Sequence, residues 1–132
     1  MPKQAAAIPF RQTPEGLEVC LIRRRGSEKW AIPKGFIDPG HTAREAALIE
    51  AFEEAGLEGR IVGRSVGTYE YRKWSRRLTV AVYLMEVLTE HRSWDEMRLR
   101  ERKWQPLEKA GRLLARHPIG AFWNHIRERL TA

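Results

Sequence analysis

Apolar residues recur at two different spacings along this chain, and these spacings predict where strands and helices lie. Short apolar runs bounded by turn-forming residues predict strands, because alternate side chains of a strand point to opposite faces. The predicted strands are residues 4–10, 17–23, 30–32, 60–67, 68–71, 78–88 and 102–104. Turns or loops are predicted at 13–16, 24–29, 35–41 and 89–100, where glycine, proline and polar residues collect.

Three segments have the spacing of helices. The first begins at Thr42, which has the capping-box spacing with Glu45, and Gly56 follows as its stop. Its predicted buried stripe consists of Leu48, Ala51, Phe52 and Ala55. Two further helices are predicted at 107–115 and 119–130. The elements do not alternate as repeated βαβ units, so we predict an α/β (α+β) fold with a mixed sheet between helices.

Composition limits the class of protein. The 132 residues fit one domain, predicted over 1–132, and 42% hydrophobic with 31% charged residues favour a folded chain over a disordered or membrane one. No apolar run approaches the roughly 20 residues that span a bilayer. The first ten residues lack the apolar core of a signal peptide. The single cysteine, Cys20, cannot form an internal disulfide, so we expect a reducing, cytoplasmic setting.

The balance of charge indicates an anionic partner. The net charge is +7 and the basic residues are spread over 23–25, 72–77 and 98–103 rather than gathered in one tail. Such a chain attracts nucleic acid, anionic lipid or a small ligand rich in phosphates. The scatter favours a charged face or cleft over a disordered basic arm.

Three glutamates carry the most specific signal. Glu50, Glu53 and Glu54 have the i, i+3, i+4 spacing, which places all three carboxylates on one helix face. Their repulsion disfavours the helix unless a cation neutralises it, and magnesium prefers a few carboxylates with water and phosphate oxygens. Solvated helix faces also carry glutamates, so the triple alone leaves both interpretations open.

The surroundings of the triple resemble a known signature. Residues 35–57 resemble the Nudix hydrolase pattern G-x5-E-x7-R-E-U-x-E-E-x-G-U, where U is apolar. The matching residues are Gly35, Glu50, Ala51, Glu53, Glu54, Gly56 and Leu57. Two positions depart, since His41 stands at the first glutamate and Ile49 at the arginine.

The resemblance implies an α/β/α sandwich and a pyrophosphohydrolase that uses Mg²⁺, with Mn²⁺ as an alternative. It implies that Glu50, Glu53, Glu54 and the Gly35 carbonyl hold the metal, and that Glu50 or Glu54 acts as the general base. Further candidates for the base are Glu70, Glu90, Asp95 and Glu96.

The two departures bear on whether the site works. In the family the arginine braces the glutamates through an ion pair, which Ile49 cannot do. Arg44, Lys34 or another basic residue is then needed as the brace. His41 removes a carboxylate that is usually peripheral to the metal. The alternative is a chain that kept the fold as a nucleotide-binding or RNA-binding module without catalysis.

Features outside the signature resemble the branch of the family that hydrolyses diphosphoinositol polyphosphates and diadenosine polyphosphates. These features are R-x4-W-x-x-P-K-G at 25–35, Trp94-Asp95-Glu96, Arg102-x-Trp104 and His117-Pro118. A substrate with several phosphates needs several cations, and the candidates are Arg23, Arg25, Lys34, Lys73, Arg77 and Arg102.

Trp74, between basic residues at a predicted hairpin tip, is a candidate for stacking on a base or a half-buried surface anchor. The alternative enzymes act on ADP-ribose, a nucleoside triphosphate or a capped RNA end. We expect a small-molecule substrate rather than nucleic acid, no membrane partner, and a monomer or homodimer.

Overall fold

Six strands form one mixed sheet in this computed structural model, which describes residues 1–132. The strands are β1 (Gln4–Thr13), β2 (Gly16–Arg24), β3 (Lys34–Phe36), β4 (Leu57–Lys73), β5 (Arg76–Glu90) and β6 (Arg100–Pro106). The helices are α1 (Ala43–Ala55), α2 (Leu107–Leu113) and α3 (Trp123–Thr131), with a 3₁₀ helix at Pro118–Phe122. The strand order is β4-β5-β1-β2-β6, and β3 pairs with β1 beside this path.

Strand β1 organises the sheet because it has three partners. It runs parallel to β5 over residues 4–10, and its last residues pair antiparallel with β2. Its first three residues, Gln4 to Ala6, pair antiparallel with β3. The start of β1 therefore brings Lys34 and Gly35 of β3 to the same end of the sheet as Val80 of β5.

The two faces of the sheet carry separate cores. Along β1, Ala6 and Ile8 belong to the larger core, which also contains Ile119 and Ile126 from the helical C-terminal segment. Residues Ala5 and Ala7 point to the other face and belong to the core that α1 covers. The alternation of side chains predicted from the sequence is thus used on both faces, and the predicted mixed sheet between helices is confirmed.

Helix α1 begins and ends where the sequence predicts. The Thr42 side chain accepts from the Glu45 N–H and the Glu45 carboxylate accepts from the Thr42 N–H, so both bonds of the capping box form. Gly56 closes the helix with φ of 67°, a left-handed conformation that favours glycine.

The predicted buried stripe of α1 is wrong at one position. Phe52 is 42% exposed, and Leu48 is only half-buried. The helix instead buries four alanines against the sheet: Ala46, Ala47, Ala51 and Ala55. The facing sheet residues include Ala5 and Ala7, so small side chains meet small side chains and the larger Phe52 lies outside this contact.

Two strand predictions and one helix prediction need correction. Residues 30–32 are not a strand, since only Ala31 forms an isolated bridge, to Ile22. The strand β3 starts after Pro33, whose carbonyl accepts a hydrogen bond from Ala7, and it occupies the start of the predicted loop 35–41. The predicted helix 119–130 is divided between the 3₁₀ helix and α3.

The remaining strands are confirmed and are longer than predicted. The segments 60–67 and 68–71 form the single strand β4, whose pairing with β5 shifts register between Val62 and Gly67. None of the helices is long and apolar enough to cross a membrane.

Candidate active site

Glu50 lies directly over the backbone of Gly35. A Cβ atom built on Gly35 would collide with the Glu50 carboxyl group, so any larger residue at position 35 would displace it. The first glycine of the signature is therefore explained by packing, because β3 and α1 approach each other closely at this point. The approach follows from the pairing of β3 with the start of β1, which lies beneath α1.

Glu54 is the one buried carboxylate of the chain, and both its oxygens are held. The backbone N–H of Lys34 donates to Oε1 over 3.1 Å. Arg100 Nη2 donates to Oε2 over 3.2 Å from the start of β6. With an exposure of 7%, this carboxylate is fixed in orientation by one main-chain and one side-chain donor.

The segment 91–99 docks on the C-terminal end of α1. Trp94 Nε1 donates to the Glu54 carbonyl over 2.9 Å, and the Glu96 N–H donates to the Glu53 carbonyl over 3.1 Å. The last carbonyls of a helix lack partners within the helix, so these bonds satisfy groups that need external donors. The docking also brings the Glu96 carboxylate to Arg100, which donates to both Glu96 and Glu54.

Burial and the charges of neighbouring glutamates raise the pKa values of two of the carboxyl groups. The pKa of Glu50 is raised to about 7, first by burial and then by the charges of Glu54 and Glu53. The pKa of Glu54 is also raised to about 7, mainly by burial, although Arg100 and the Lys34 N–H oppose the rise. A cation placed between these groups would favour their charged forms.

The carboxylates of Glu50, Glu53 and Glu54 form an acidic face of α1. This face fits a divalent ion that has few protein ligands. No three His, Cys, Asp or Glu side chains lie close enough together to form a complete metal centre by themselves. Magnesium is usually held by one or two carboxylates, with water and substrate phosphates filling the other positions. The pair of Glu50 and Glu54, with Glu53 on the same helix, matches that donor set.

Arg100 forms the ion pair with a glutamate of α1 that Ile49 cannot form. It donates to Glu54 and also, through Nε, to Glu96 Oε1 over 2.8 Å. Arg44 lies elsewhere and donates to the Gly63 carbonyl over 2.7 Å, while Lys34 contributes its backbone N–H. Arg100 was not among the residues predicted from the sequence, because it lies 46 residues after Glu54 and its only local signal is the i+4 spacing from Glu96.

Three of the six predicted substrate contacts are arginines that bond to carboxylate or carbonyl oxygens of the protein. Arg23 forms an ion pair with Glu101 at 3.1 Å. Arg25 donates to the Met97 carbonyl over 2.8 Å and so holds the segment 91–99. Arg102 donates to the Ala55 carbonyl over 2.6 Å, and its guanidinium lies 4.0 Å from the centre of a Trp94 ring. These three arginines thus connect β2 to β6, the segment 91–99 to the loop after β2, and β6 to the end of α1.

The other three predicted contacts lie at one end of the sheet. Lys34 Nζ donates to the Tyr71 hydroxyl over 3.1 Å. Lys73 and Arg77 lie two and six residues further along the β4–β5 hairpin, and neither forms a salt bridge. Trp74 at the hairpin tip is 72% exposed, with Lys73 Nζ 4.6 Å from its ring centre.

Among the further candidates for the base, only Glu96 acts on the pKa values of Glu50 and Glu54. Glu90 instead accepts from Trp104 Nε1 over 2.8 Å and pairs with Arg102. A cleft of about 1230 Å³ opens between residues 26–31 and 112–118. Glu50, Glu53 and Glu54 do not line this cleft, but His117 does. Burial, and then the charge of Lys34, lower the pKa of His117 to about 4.

Comparisons with known proteins identify the family to which the chain belongs. Residues 1–123 match the model of the NUDIX domain. The chain is 31% identical over 122 residues to diphosphoinositol polyphosphate phosphohydrolase 3-beta of Bos taurus, covering 90% of this chain and 73% of that protein. The corresponding protein of Homo sapiens is 30% identical with the same coverage.

Solved structures show the same fold. The binary complex of the C. elegans Ap4A hydrolase superposes with a TM-score of 0.77 at 23% identity, covering 99% of this chain and 98% of that one. The M. smegmatis Nudix hydrolase RenU superposes with a TM-score of 0.74 at 21% identity, covering 98% and 86%. The chain therefore belongs to the Nudix family, and it is a hydrolase of phosphoanhydride bonds.

Proposed function

We propose that this chain is a magnesium-dependent pyrophosphohydrolase that cleaves a polyphosphorylated small molecule, such as a diadenosine polyphosphate or a diphosphoinositol polyphosphate. One observation carries the proposal. The carboxyl groups of Glu50 and Glu54 both have pKa values raised to about 7 in a site held by Gly35 and Arg100. Such a site favours binding of a cation.

In this proposal Glu50, Glu53, Glu54 and the Gly35 carbonyl hold the metal, which would draw together three carboxylates that are not gathered around one point in its absence. Magnesium, or manganese in its place, would neutralise phosphate charge and lower the pKa of an attacking water. In the same proposal Glu50 or Glu54 accepts the proton of that water as the general base. Arg100 keeps the Glu54 carboxylate oriented throughout.

The charge and the relatives support a substrate with several phosphates. Lys34, Lys73 and Arg77 form no salt bridge and are proposed to contact phosphates directly. The cleft lined by Trp30 and His117 is proposed to receive the end of the substrate that does not react. Two similar proteins are named for diphosphoinositol polyphosphates, and the name of a third, which shares the fold, refers to Ap4A.

The proposed cytoplasmic setting is supported by Cys20, which is fully buried in the sheet. Burial raises the pKa of its thiol to about 12, which makes it a poor nucleophile towards oxidants. A thiol of this kind is typical of a structural residue.

A substrate panel tests the proposal. The wild-type chain and Glu53→Gln would be incubated with diadenosine tetraphosphate, a diphosphoinositol polyphosphate, ADP-ribose, a nucleoside triphosphate and a capped RNA, with magnesium or with EDTA. We expect magnesium-dependent product release, greatest with one of the first two substrates. Faster hydrolysis of one of the other three substrates would show that the proposed substrate class is wrong. Release that is unchanged in Glu53→Gln would contradict catalysis by the acidic face.

A further inference from the structure

We propose that Tyr71 and Gln4 are positioning residues that hold the Lys34 ammonium group in place for a phosphate of the substrate. This inference rests on the proposed function, because it assigns a task to residues beside the proposed metal ligands. It concerns a chain of three side chains from β1, β3 and β4, which meet at the end of the sheet where the active site lies.

The chain of hydrogen bonds has a defined direction. The Tyr71 hydroxyl donates to Gln4 Oε1 over 2.7 Å, and Lys34 Nζ donates to the Tyr71 hydroxyl over 3.1 Å. An ammonium group donates only, so the hydroxyl proton of Tyr71 is directed to Gln4 and its lone pairs face Lys34. Gln4 is 2% exposed, so the end of this chain is fixed within the sheet.

Lys34 links this chain to the catalytic carboxylate. Its backbone N–H donates to Glu54, while its ammonium group is held by the hydroxyl of Tyr71 and lies 4.6 Å from the centre of the Tyr71 ring. The main chain of Lys34 is therefore fixed at the proposed metal ligand Glu54, and the tip of its side chain is fixed at Tyr71. The orientation of Nζ is set before any substrate arrives, which reduces the entropy lost on binding.

The ammonium group retains capacity for an anion. It has three donors, of which Tyr71 takes one, and Lys34 forms no salt bridge with any carboxylate. A positive charge that the protein positions but does not neutralise is suited to phosphate oxygens of the substrate. Arg23 and Arg100 differ, because their charges are paired with Glu101 and Glu54.

Tyr69 provides a matched control on the same strand. It lies two residues before Tyr71 with its ring 6.3 Å away, yet its buried hydroxyl has no hydrogen-bond partner. Tyr69→Phe and Tyr71→Phe therefore delete the same atom from neighbouring rings. Only the second deletion breaks a contact with Lys34.

The experiment compares Tyr71→Phe, Tyr69→Phe, Lys34→Met and the double variant Tyr71→Phe/Lys34→Met. One readout is kcat/KM on the best substrate of the panel, and the other is the affinity for inorganic tripolyphosphate in EDTA. A hydrogen bond to a charged group corresponds to a factor of roughly 10 to 100. We expect a fall of that size for Tyr71→Phe, mainly through KM, and none for Tyr69→Phe. Tyr71→Phe should have no further effect once Lys34 is Met.

Three results would overturn the inference: equal effects of the two Tyr→Phe changes, an undiminished Tyr71→Phe effect in the Lys34→Met background, or no binding of tripolyphosphate by the wild type. Gln4→Met, which removes the acceptor, should weaken tripolyphosphate binding in the same direction and serves if Tyr71→Phe does not fold. A wild type that binds tripolyphosphate with this pattern but hydrolyses nothing would contradict the proposed function alone.

Discussion

Arg100 Nη2 lies 3.2 Å from Oε2 of Glu54, and this contact joins the start of β6 to the acidic face of α1. The two side chains are 20% and 9% exposed, so solvent screens the pair less than it screens the surface pairs of this chain. The pair orients a carboxylate whose burial would otherwise favour its protonated form. In this chain the brace comes from β6 rather than from the residue before Glu50.

Arg100→Gln should lower kcat/KM by roughly 10- to 100-fold, the usual effect of losing a partner that orients a metal ligand. Arg100 lowers the pKa of Glu54, so its loss should raise that pKa further. If Glu54 acts in its charged form, the acid limb of the pH–rate profile then moves to higher pH. The measurement is kcat/KM from pH 5 to 9.

Arg60→Gln is the matched control, since Arg60 pairs with Glu86 at the surface with 70% of its side chain exposed. It should leave both the rate and the profile unchanged. An Arg100→Gln enzyme with the wild-type profile would show that Arg100 does not act through Glu54.

Local pattern predicted much of this molecule, and contacts between distant segments explain what it missed. The capping box at Thr42, the stop at Gly56 and the alternation along β5 follow from residues close in sequence. Arg100 could not be assigned as the brace, because its pairing with Glu54 depends on how β6 and α1 meet.

The errors in the fold have similar causes. Phe52 has helical core spacing, but α1 approaches the sheet through alanines and leaves it 42% exposed. The short strand after Pro33 is determined by the pairing of Lys34–Phe36 with β1, which the glycine and proline content of that region concealed. The sequence also does not show which basic residues form ion pairs. Arg23 pairs with Glu101, whereas Lys34 pairs with no carboxylate.

Gly35→Ala should lower activity through displacement of Glu50. The added methyl group would occupy the space of the Glu50 carboxyl group, and a misplacement of about 1 Å can cost a factor of roughly 100 in rate. The measurement is kcat for Gly35→Ala, Glu50→Gln and the double variant. The double variant should be no worse than Glu50→Gln alone, and additive losses would instead indicate a general distortion of β3.

Titration of Glu50 should make the metal-free protein less stable as the pH rises. The pKa of Glu50 rises from 4.5 in the unfolded chain to about 7 when folded. Between these values the folded state holds a proton that the unfolded state has released, so stability falls with increasing pH. Glu50→Gln removes this effect, and in EDTA its stability relative to wild type should increase from pH 5 to pH 8.

Urea denaturation at several pH values measures that difference, and saturating magnesium should reduce it by binding to the folded wild type. His117, whose lowered pKa gives a slope of opposite sign, is present in both proteins and cancels in this difference. A constant difference between the two proteins over this pH range would contradict the assigned burial of Glu50.

We expect the tip of the β4–β5 hairpin to contribute more to the binding of a substrate that carries more phosphate charge. Lys73 lies opposite Arg76 and Arg72 opposite Arg77, so like charges face each other across the strands. Such pairs are destabilising by themselves and are relieved by an anion. Lys73→Gln/Arg77→Gln should raise KM more for a substrate with five phosphates than for one with three, with little change in kcat.

The salt dependence of KM provides the internal check, since removal of two phosphate contacts should flatten it. Arg60→Gln again serves as the control for a loss of surface charge. Equal changes in KM for both substrates would place Lys73 and Arg77 outside the substrate path.

The most direct test of the account is the magnesium dependence of bond cleavage by Glu50→Gln, which keeps the shape of the side chain and removes its charge. Product release would be followed across a magnesium titration for the wild type and the variant, with folding verified by circular dichroism. We expect saturable, magnesium-dependent cleavage by the wild type and a loss of at least about 100-fold in the variant, as for groups that stabilise the transition state. Cleavage by a folded Glu50→Gln chain at the wild-type rate and magnesium dependence would contradict it.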